Sequence, residues 1–408
     1  MLERPSLAPP LPVTDRAGLH PASSQKQILG LDLLRFMAAT LVMAYHFGFW
    51  HVATSGGALN GALSADVAEW STRLSHFGWV GVEIFFVISG FVIAYSAQDA
   101  TARSFLRGRF LRLVPAVWIC APLTLLISVL ALHADLWGTL PNFLRSMTFF
   151  PMFGQIDGVY WTLGIEIAFY TVVLILLQRD RLDLLPRLAL GAGVVSLLFW
   201  VGLEGAIWLL NQQGTSQDAW ITLLRRCEAS RVFQLLLLPH GCLFGLGIFI
   251  FLIATRGPSR GRIAGAIFLF LVCLLEIHAQ NGIIVRASQR NLSAIPAELV
   301  FALFLLLFAG AIAFNRALGA WIPASSASLR RAGLMTYPLY LIHNPVGLAT
   351  ILKLRLLGVP TPVALLGGVL AALVTAYVVS TIVEPALRAQ MAKRVRRRGV
   401  APAAHPAV

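Results

Sequence analysis

Long apolar runs alternate along the chain with charged or Pro/Gly/Asn-rich breaks. Each run is about twenty residues, which is the length that an α-helix needs to cross a hydrocarbon layer of ~30 Å. The pattern therefore predicts an all-α protein, a polytopic transmembrane helix bundle of ten spans. The predicted spans are residues 31–50, 77–97, 112–132, 159–178, 187–210, 234–254, 262–279, 296–314, 333–352 and 363–383.

The two ends of the chain differ from this pattern. Residues 1–27 are rich in proline and contain no apolar stretch, so we interpret them as a disordered cytoplasmic tail and not as a signal peptide. Residues 387–408 contain the basic run 393–398 and are interpreted as a basic cytoplasmic tail at the membrane surface. Residues 28–386 are predicted to form one ten-helix transmembrane domain, with no further extracytoplasmic domain.

Composition and charge support a membrane protein. Apolar residues make up 58% of the chain and charged residues only 12%, far below the ~25% of soluble domains. The net charge of +14 does not indicate a nucleic-acid partner, because the basic residues lie mainly in the loops that flank the spans. Most of the 32 Lys and Arg residues fall on the side of both termini, so we expect both termini in the cytoplasm and the protein in the bacterial inner membrane, with the lipid bilayer as its surroundings. No oligomeric state is indicated.

The four cysteines are scattered without CxxC or other metal-ligand spacing. The sequence therefore predicts free thiols and no metal site.

The first span carries ionisable residues that a hydrocarbon layer penalises. Arg35 and His46 are eleven residues apart, so they share one helix face and differ in depth by roughly 16 Å. By the same counting, His46, Glu83 and Glu166 lie at a similar depth in the outer half of the membrane. A histidine with either glutamate would make a general base and its orienting carboxylate. The alternative is a set of interhelical hydrogen bonds that hold the bundle together.

Arginines cluster at the cytoplasmic end of the third span. Arg109 and Arg112 follow Arg103 and Arg107, and Arg35 is at the same depth. Guanidinium groups match the geometry of phosphate oxygens, so the cluster is a candidate site for a polyphosphorylated cofactor. An ordinary positive-inside flank is the alternative.

Three further side chains are pocket candidates. Trp161 opens the fourth span, where it would equally suit an interfacial aromatic belt. Tyr337 and His343 lie in the ninth span, beside Asn344 and Pro345, where hydrogen bonding to backbone is the alternative role for His343.

Six motifs follow one another along the chain. They are Asp32-Leu-Leu-Arg35 with ten residues before His46, Gly81-Val-Glu83-Ile-Phe-Phe-Val-Ile-Ser-Gly90-Phe91, Arg109-Phe-Leu-Arg112-Leu-Val-Pro115, Trp161-Thr-Leu-Gly-Ile-Glu166, Tyr337-Pro-Leu-Tyr340-Leu-Ile-His343 and Glu384-Pro385. Taken in this order, they resemble the acyltransferase-3 family of integral membrane acyltransferases. One departure is Glu83, where the family more often has Asp.

The resemblance implies an O-acyltransferase of the stand-alone type. It implies an acyl-CoA donor, commonly acetyl-CoA, and a hydroxyl acceptor on a glycan, surface polysaccharide or glycosylated metabolite. Arg35, Arg109 and Arg112 would then hold the phosphates of CoA. His46 would be the general base, with a transient acyl-histidine as the rival chemistry, and Glu83 or Glu166 would orient His46 or contact the acceptor.

Two other classes of protein stay open. A proton-coupled secondary transporter of a sugar or lipid intermediate would use His46 and the glutamates as coupling groups, although no inverted repeat is visible. A structural or regulatory membrane subunit would tolerate neutral replacement of Arg35 and His46.

Overall fold

The computed structural model describes residues 29–212, 218–315 and 326–399, and in these residues it contains helices and turns but no strand. The predicted tail 1–27 and residues 400–408 of the basic tail lie outside the described residues. The α-helices are α1 (Leu29–Tyr45), α2 (His51–Ala53), α3 (Ala65–Ser75), α4 (Val80–Ala97), α5 (Ala102–Leu130), α6 (Leu136–Met147), α7 (Trp161–Gln178), α8 (Leu185–Gln212), α9 (Asp218–Glu228), α10 (Arg231–Leu235), α11 (Gly241–Arg256), α12 (Arg260–Ser288), α13 (Ile295–Ala313), α14 (Ser326–Leu356), α15 (Thr361–Val378) and α16 (Glu384–Gly399).

The prediction of an all-α polytopic bundle is confirmed, and a helix covers each of the ten predicted spans. Within the described ranges, eight helical segments are long and apolar enough to cross a membrane. They are Gly30–Ala53, Ala65–Ala97, Ala102–Leu130, Gly158–Gln178, Leu182–Gln212, Arg260–Ser288, Ile295–Ala313 and Thr361–Lys393.

The other two predicted spans correspond to helices of a different character. α11 is apolar but has only 16 residues. α14 has 31 residues and is less apolar, because polar side chains such as His343 and Asn344 interrupt it. These two side chains are buried inside the bundle, so they face protein and not lipid.

The first helix changes from α-helical to π-helical winding at His46. α1 gives way to a π-helical turn at His46–Trp50, and the chain continues into the short α2. A π turn inserts one residue into the helical repeat and rotates the side chains that follow, and such turns are frequent at functional sites. Here the turn begins at His46 itself.

Small residues bring the central helices close together. α4 packs against α1 and α11, and α14 packs against α1, α5 and α15. A Cβ atom on Gly90 of α4 would collide with the backbone carbonyl of Phe244 in α11, and one on Gly81 with the carbonyl of Ala38 in α1. Glycine is therefore required at both crossings, as is common between membrane helices.

The apolar core is divided into two main clusters. One is built largely from α4, α11, α12 and α13, and the other from α1, α5, α14 and α15. Val82, Phe85 and Tyr337 pack against both clusters, so they lie at the seam. The cavities described next open along this seam.

Candidate active site

The first cavity, called here the arginine cavity, has about 740 Å³ of empty space and lies between α1, α4, α5, α7 and α14. It holds all three arginines that the sequence singles out, together with Glu166 and Tyr337. Its lining residues are Arg35, Val82, Phe85, Phe86, Ile88, Ser89, Val92, Ile93, Arg109, Arg112, Leu113, Thr162, Leu163, Glu166, Tyr170, Thr336, Tyr337 and Tyr340.

The second cavity, called here the histidine cavity, has about 840 Å³ of empty space. Val82 and Tyr340 line both cavities, so these two side chains are a shared wall. The lining residues of the histidine cavity are Val42, Tyr45, His46, Trp50, Trp79, Val82, Glu83, Gly158, Val159, Trp161, Gln280, Ile284 and Tyr340.

Two histidines from distant parts of the sequence meet beside the histidine cavity. His46 Nδ1 lies 3.1 Å from His343 Nε2 and 2.9 Å from the carbonyl oxygen of Val42. His343 is fully buried, and its Nδ1 lies 3.1 Å and 3.0 Å from the carbonyl oxygens of Leu339 and Tyr340. The contact joins the π turn after α1 to the middle of α14.

These contacts fix the tautomers of both neutral rings. A carbonyl oxygen only accepts, so the proton of His343 is on Nδ1 and its Nε2 carries a lone pair. His46 Nδ1 must then carry a proton and donate to His343 Nε2 and to the Val42 carbonyl. His46 Nε2 is left unprotonated, which is the state that a general base requires.

The structure therefore corrects the expected partner of His46. The group that orients its ring is His343, because His46 Nδ1 is occupied by His343 and Val42. Among the described residues, neither Glu83 nor Glu166 hydrogen-bonds to His46. The two glutamates also do not share a cavity, since Glu83 lines the histidine cavity and Glu166 lines the arginine cavity.

Glu166 is embedded in a hydrogen-bond network in the arginine cavity. It accepts hydrogen bonds from the hydroxyl of Ser89 at 3.0 Å and from the hydroxyl of Tyr170. The guanidinium of Arg109 lies over the Tyr170 ring, 5.8 Å from its centroid. The Glu166 carboxylate thus joins α4 to α7, and the ring of Tyr170 joins α7 to α5.

The arginine cavity also presents polar atoms without protein partners. Nε of Arg109 and the hydroxyl of Tyr337 are buried and have no hydrogen-bond partner in the described part of the chain. Arg35 is bonded to Asp32 at 3.4 Å. Three guanidinium groups and one carboxylate line the cavity, so its charge suits an anionic ligand such as a phosphate.

An aspartate that the sequence analysis missed supports the helix of His343. Asp157 accepts a hydrogen bond from the side-chain amide of Asn344 at 3.2 Å and caps the 3₁₀ turn Gly158–Tyr160 through the N–H of Val159. Burial raises the pKa of the Asp157 carboxyl, and these two hydrogen bonds oppose the rise. The motif Asp-Gly before an apolar run is a turn and helix-start signal that indicates such a cap.

Glu83 belongs to a second polar group, with His240 and Glu276, that no sequence motif indicated. Trp161 lies between this group and the histidine cavity, since it lines the cavity and its ring centroid is 5.8 Å from that of His240. These residues are far apart in the sequence, so periodicity within one helix cannot reveal their contact.

A half-buried histidine bonded to a fully buried one, an arginine-lined cavity and a polytopic helical bundle define a multi-pass membrane protein with the groups of an acid–base catalyst. The chain belongs to the acyltransferase-3 family. The family's sequence profile, described as an acyltransferase domain, matches residues 28–381 and confirms the resemblance drawn from the six motifs.

Three curated proteins illustrate the range of relatives. Nodulation protein 10 of Rhizobium leguminosarum bv. viciae is 31% identical over 173 residues, which are 37% of this chain and 44% of the relative. Exopolysaccharide production protein ExoZ of Rhizobium meliloti strain 1021 is 32% identical over 108 residues, 24% of this chain and 34% of the relative. Peptidoglycan O-acetyltransferase OatA of Listeria monocytogenes is 25% identical over 201 residues, 42% of this chain and 28% of the relative.

The chain thus spans less than half the length of each of these three relatives. No solved structure matches it.

Proposed function

We propose that this protein is a membrane O-acyltransferase that moves an acyl group, most readily acetyl, from cytoplasmic acyl-CoA to a hydroxyl of a glycan, surface polysaccharide or glycosylated metabolite. One observation carries the proposal: a histidine held as a base lines one cavity, and three arginines line the adjacent cavity, with Val82 and Tyr340 as the shared wall. An acyl donor and an alcohol acceptor would meet at that wall.

The donor would occupy the arginine cavity. Arg35, Arg109 and Arg112 would hold the CoA phosphates, and the unpartnered donors of Arg109 and Tyr337 support an oxygen-rich ligand there. The separation of Arg35 and His46 along α1, roughly 16 Å, is of the order of the pantetheine arm's reach. We place this cavity at the cytoplasmic end, with both termini in the cytoplasm and the protein in the inner membrane, on the distribution of basic residues.

The acceptor would occupy the histidine cavity. His46 Nε2 removes the proton from the acceptor hydroxyl as the hydroxyl oxygen attacks the thioester carbonyl carbon. The C–S bond then breaks, and the CoA thiolate leaves and takes up the proton from the imidazolium. In the rival sequence, His46 Nε2 attacks the thioester carbonyl carbon first, the C–S bond breaks and the CoA thiolate leaves. The acceptor hydroxyl oxygen then attacks the acyl-histidine, the acyl–nitrogen bond breaks, and the hydroxyl proton passes to the thiolate.

The remaining predicted residues would support the two ligands. Glu83 opens onto the same cavity as His46, so it is the carboxylate nearest to an acceptor in this arrangement. Glu166 would hold Ser89 and Tyr170 beside the donor. The names of the relatives OatA and ExoZ refer to peptidoglycan O-acetylation and exopolysaccharide production, and this favours a polysaccharide acceptor.

The proposal is tested by following labelled acetyl-, propionyl- and succinyl-CoA with purified protein in liposomes, with a panel of glycan acceptors. We expect wild-type protein to transfer label, His46→Ala to lose transfer, and Arg112→Ala to require more CoA. If no thioester is consumed and CoA does not bind, the enzyme assignment fails, and movement of a sugar or lipid intermediate with protons becomes the function to test.

A further inference from the structure

Aromatic side chains make up much of the wall of the histidine cavity. Three of the chain's ten tryptophans line it, and two tyrosines join them. These residues are Tyr45, Trp50, Trp79, Trp161 and Tyr340. The face of an aromatic ring carries partial negative charge and attracts the partly positive C–H groups of a ligand. A sugar ring presents such C–H groups on its two faces and hydroxyls around its edge, so these walls suit a carbohydrate.

Two of the tryptophans are held in place by packing but are not fully covered. Trp50 lies beside Tyr45, with ring centroids 6.0 Å apart. Trp161 meets the ring of Phe86 edge to face at 6.3 Å, and its carbonyl oxygen accepts a hydrogen bond from Arg231 at 2.7 Å. Both tryptophans are half-buried, so part of each side chain is left for a ligand. A wall that is formed before binding lowers the entropy cost of holding a ligand.

A few polar groups interrupt these walls. His46, Glu83 and Gln280 line the cavity. An amide both donates and accepts hydrogen bonds and a carboxylate accepts them, as the hydroxyls of a sugar require. Apolar walls with a few polar groups are typical of sites that bind and orient a small ligand.

The charge of the histidine cavity differs from that of the arginine cavity. Three guanidinium groups line the arginine cavity, whereas the described residues that line the histidine cavity include no Lys or Arg. The guanidinium of Arg231 donates to the carbonyl oxygens of Pro151 and Trp161, so it is directed at backbone. A carboxylate or phosphate on a ligand would therefore lie beside Glu83 without a counter-charge, which is strongly unfavourable inside a protein.

Gly158 marks an open edge of the cavity. It begins the 3₁₀ turn Gly158–Tyr160, is exposed and lines the cavity. A Cβ atom at this position would meet no heavy atom within 4 Å. The edge therefore has room for the parts of a glycan that extend beyond one ring, and it can take a longer side chain that tests the charge of the site.

We propose that the histidine cavity binds one uncharged sugar ring against Trp50 and Trp161 and excludes rings that carry a carboxylate or a phosphate. The inference rests on the proposed function, because it specifies the acceptor at the same site. It narrows that acceptor to neutral sugar residues, including N-acetylated ones, at the ring that carries the reacting hydroxyl. The same difference in charge directs a polyphosphorylated donor to the arginine cavity.

The first test measures binding without any acyl donor, in purified protein held in a detergent that has no sugar head group. Three probes are used: methyl β-D-glucoside, methyl β-D-glucuronide and the amide of that glucuronide. The acid and its amide have nearly the same shape but differ by one charge. In saturation-transfer NMR titrations at neutral pH, we expect the glucoside and the amide to bind with similar Kd. The acid should bind at least about tenfold more weakly, because its charge is left without a partner.

One pair of variants locates the sugar ring. Trp161→Leu removes an aromatic face and should weaken binding of the glucoside about 3- to 10-fold. The matched control is Trp137→Leu, because Trp137 is on α6, is 76% exposed and does not line the cavity. This control should leave the Kd unchanged.

A second pair of variants tests the charge of the site. Gly158→Lys places a cation at the edge of the cavity and should raise the affinity for the acid, relative to the amide, about tenfold. Gly158→Met adds a side chain of similar length without a charge, so the ratio of the two affinities should stay as in the wild-type protein.

Three results would overturn the proposal: equal Kd for the acid and the amide, no saturation transfer to any of the three probes, or a wild-type Kd for the glucoside in Trp161→Leu. If Trp161→Leu does not fold, the comparison of acid and amide in wild-type protein and in Gly158→Lys decides the question.

Consumption of acyl-CoA by the same preparation separates this inference from the proposed function. Consumption together with equal binding of acid and amide would leave the function standing and remove the charge selectivity. Selective binding of the amide without consumption would support the sugar site and remove the acyltransferase assignment.

Discussion

Two fully buried histidines, His343 and His240, have opposite surroundings. His343 is held by backbone carbonyls and contacts a second imidazole, that of His46. His240 contacts a carboxylate, that of Glu276. The first pair needs no counter-ion, because both rings are neutral and every proton has an acceptor. The second places a carboxyl group in an apolar interior.

The comparison shows how the partner of a histidine sets what the histidine can do. In the first pair the chain of hydrogen bonds ends at His46 Nε2, a base beside the histidine cavity. In the second pair the hydrogen bond ends at the buried carboxyl group of Glu276, whose other oxygen, Oε2, has no partner among the described residues. We therefore expect substitutions at the first pair to act on turnover and substitutions at the second to act on stability.

The largest effect is expected at His46. His46→Ala removes the base and should lower the acyl-transfer rate by about 10³- to 10⁴-fold, near the upper end of what a general base contributes. The measurement is transfer of labelled acyl groups in liposomes. His51→Ala is the matched control, because its ring centroid lies 6.0 Å from that of His46, and it should lose tenfold at most. Equal losses in both variants would contradict the assignment of the base.

The second-largest effect is expected on the free energy of unfolding, at the pair His240 and Glu276. His240→Leu leaves the buried Glu276 without its partner and should destabilise the protein by about 3–5 kcal/mol. The double variant His240→Leu/Glu276→Leu removes both partners and should recover part of the loss. Apparent melting temperatures in detergent measure the difference. A double variant that melts earlier than His240→Leu would show that the pair is not coupled as the structure indicates.

The contrast between these sites also marks the limit of prediction from sequence. Apolar runs place helices well, since lipid requires about twenty apolar residues wherever a helix crosses it. Counting residues also gives approximate depth; of the three residues placed at one level, His46 and Glu83 line one cavity and Glu166 lines the other. Rotation about the helix axis is not given by depth, so counting residues leaves the role of the two glutamates open and does not reveal the contact of His46 with His343.

The second pair could not be predicted, for a related reason. His240 and Glu276 are 36 residues apart on different helices, and their contact depends on how α11 packs against α12. The π turn at His46–Trp50 could not be predicted from the sequence either, because inserting one residue into the helical repeat leaves the apolar pattern almost unchanged. Positions set by packing between helices require the structure.

A third prediction tests whether His343 acts through its neighbour. His343→Leu removes the acceptor of the His46 proton and should lower kcat about 100-fold, within the range of a general base, with the KM for acyl-CoA unchanged. His343→Gln keeps an acceptor oxygen near the position of Nε2, so it should restore kcat by about tenfold over His343→Leu. The two kcat values and the two KM values are the measurement. Equal kcat in both variants would mean that His343 serves packing alone.

The smallest effect is expected away from both histidine pairs, at the arginine cavity. Arg112→Ala removes one charge-assisted contact, taken at the lower end of the usual range, ~1.5–2 kcal/mol, because Arg35 and Arg109 remain, so the KM for acyl-CoA should rise about 10- to 30-fold. Arg112→Lys keeps the charge but loses the forked donors, so its KM for acyl-CoA should lie between those of the wild-type protein and Arg112→Ala. Because the arginines and His46 line different cavities, kcat at saturating donor should change little. A fall in kcat with an unchanged KM would place Arg112 in the chemical step. The assignment of donor binding to the arginine cavity and of the chemical step to the histidine cavity would then be wrong.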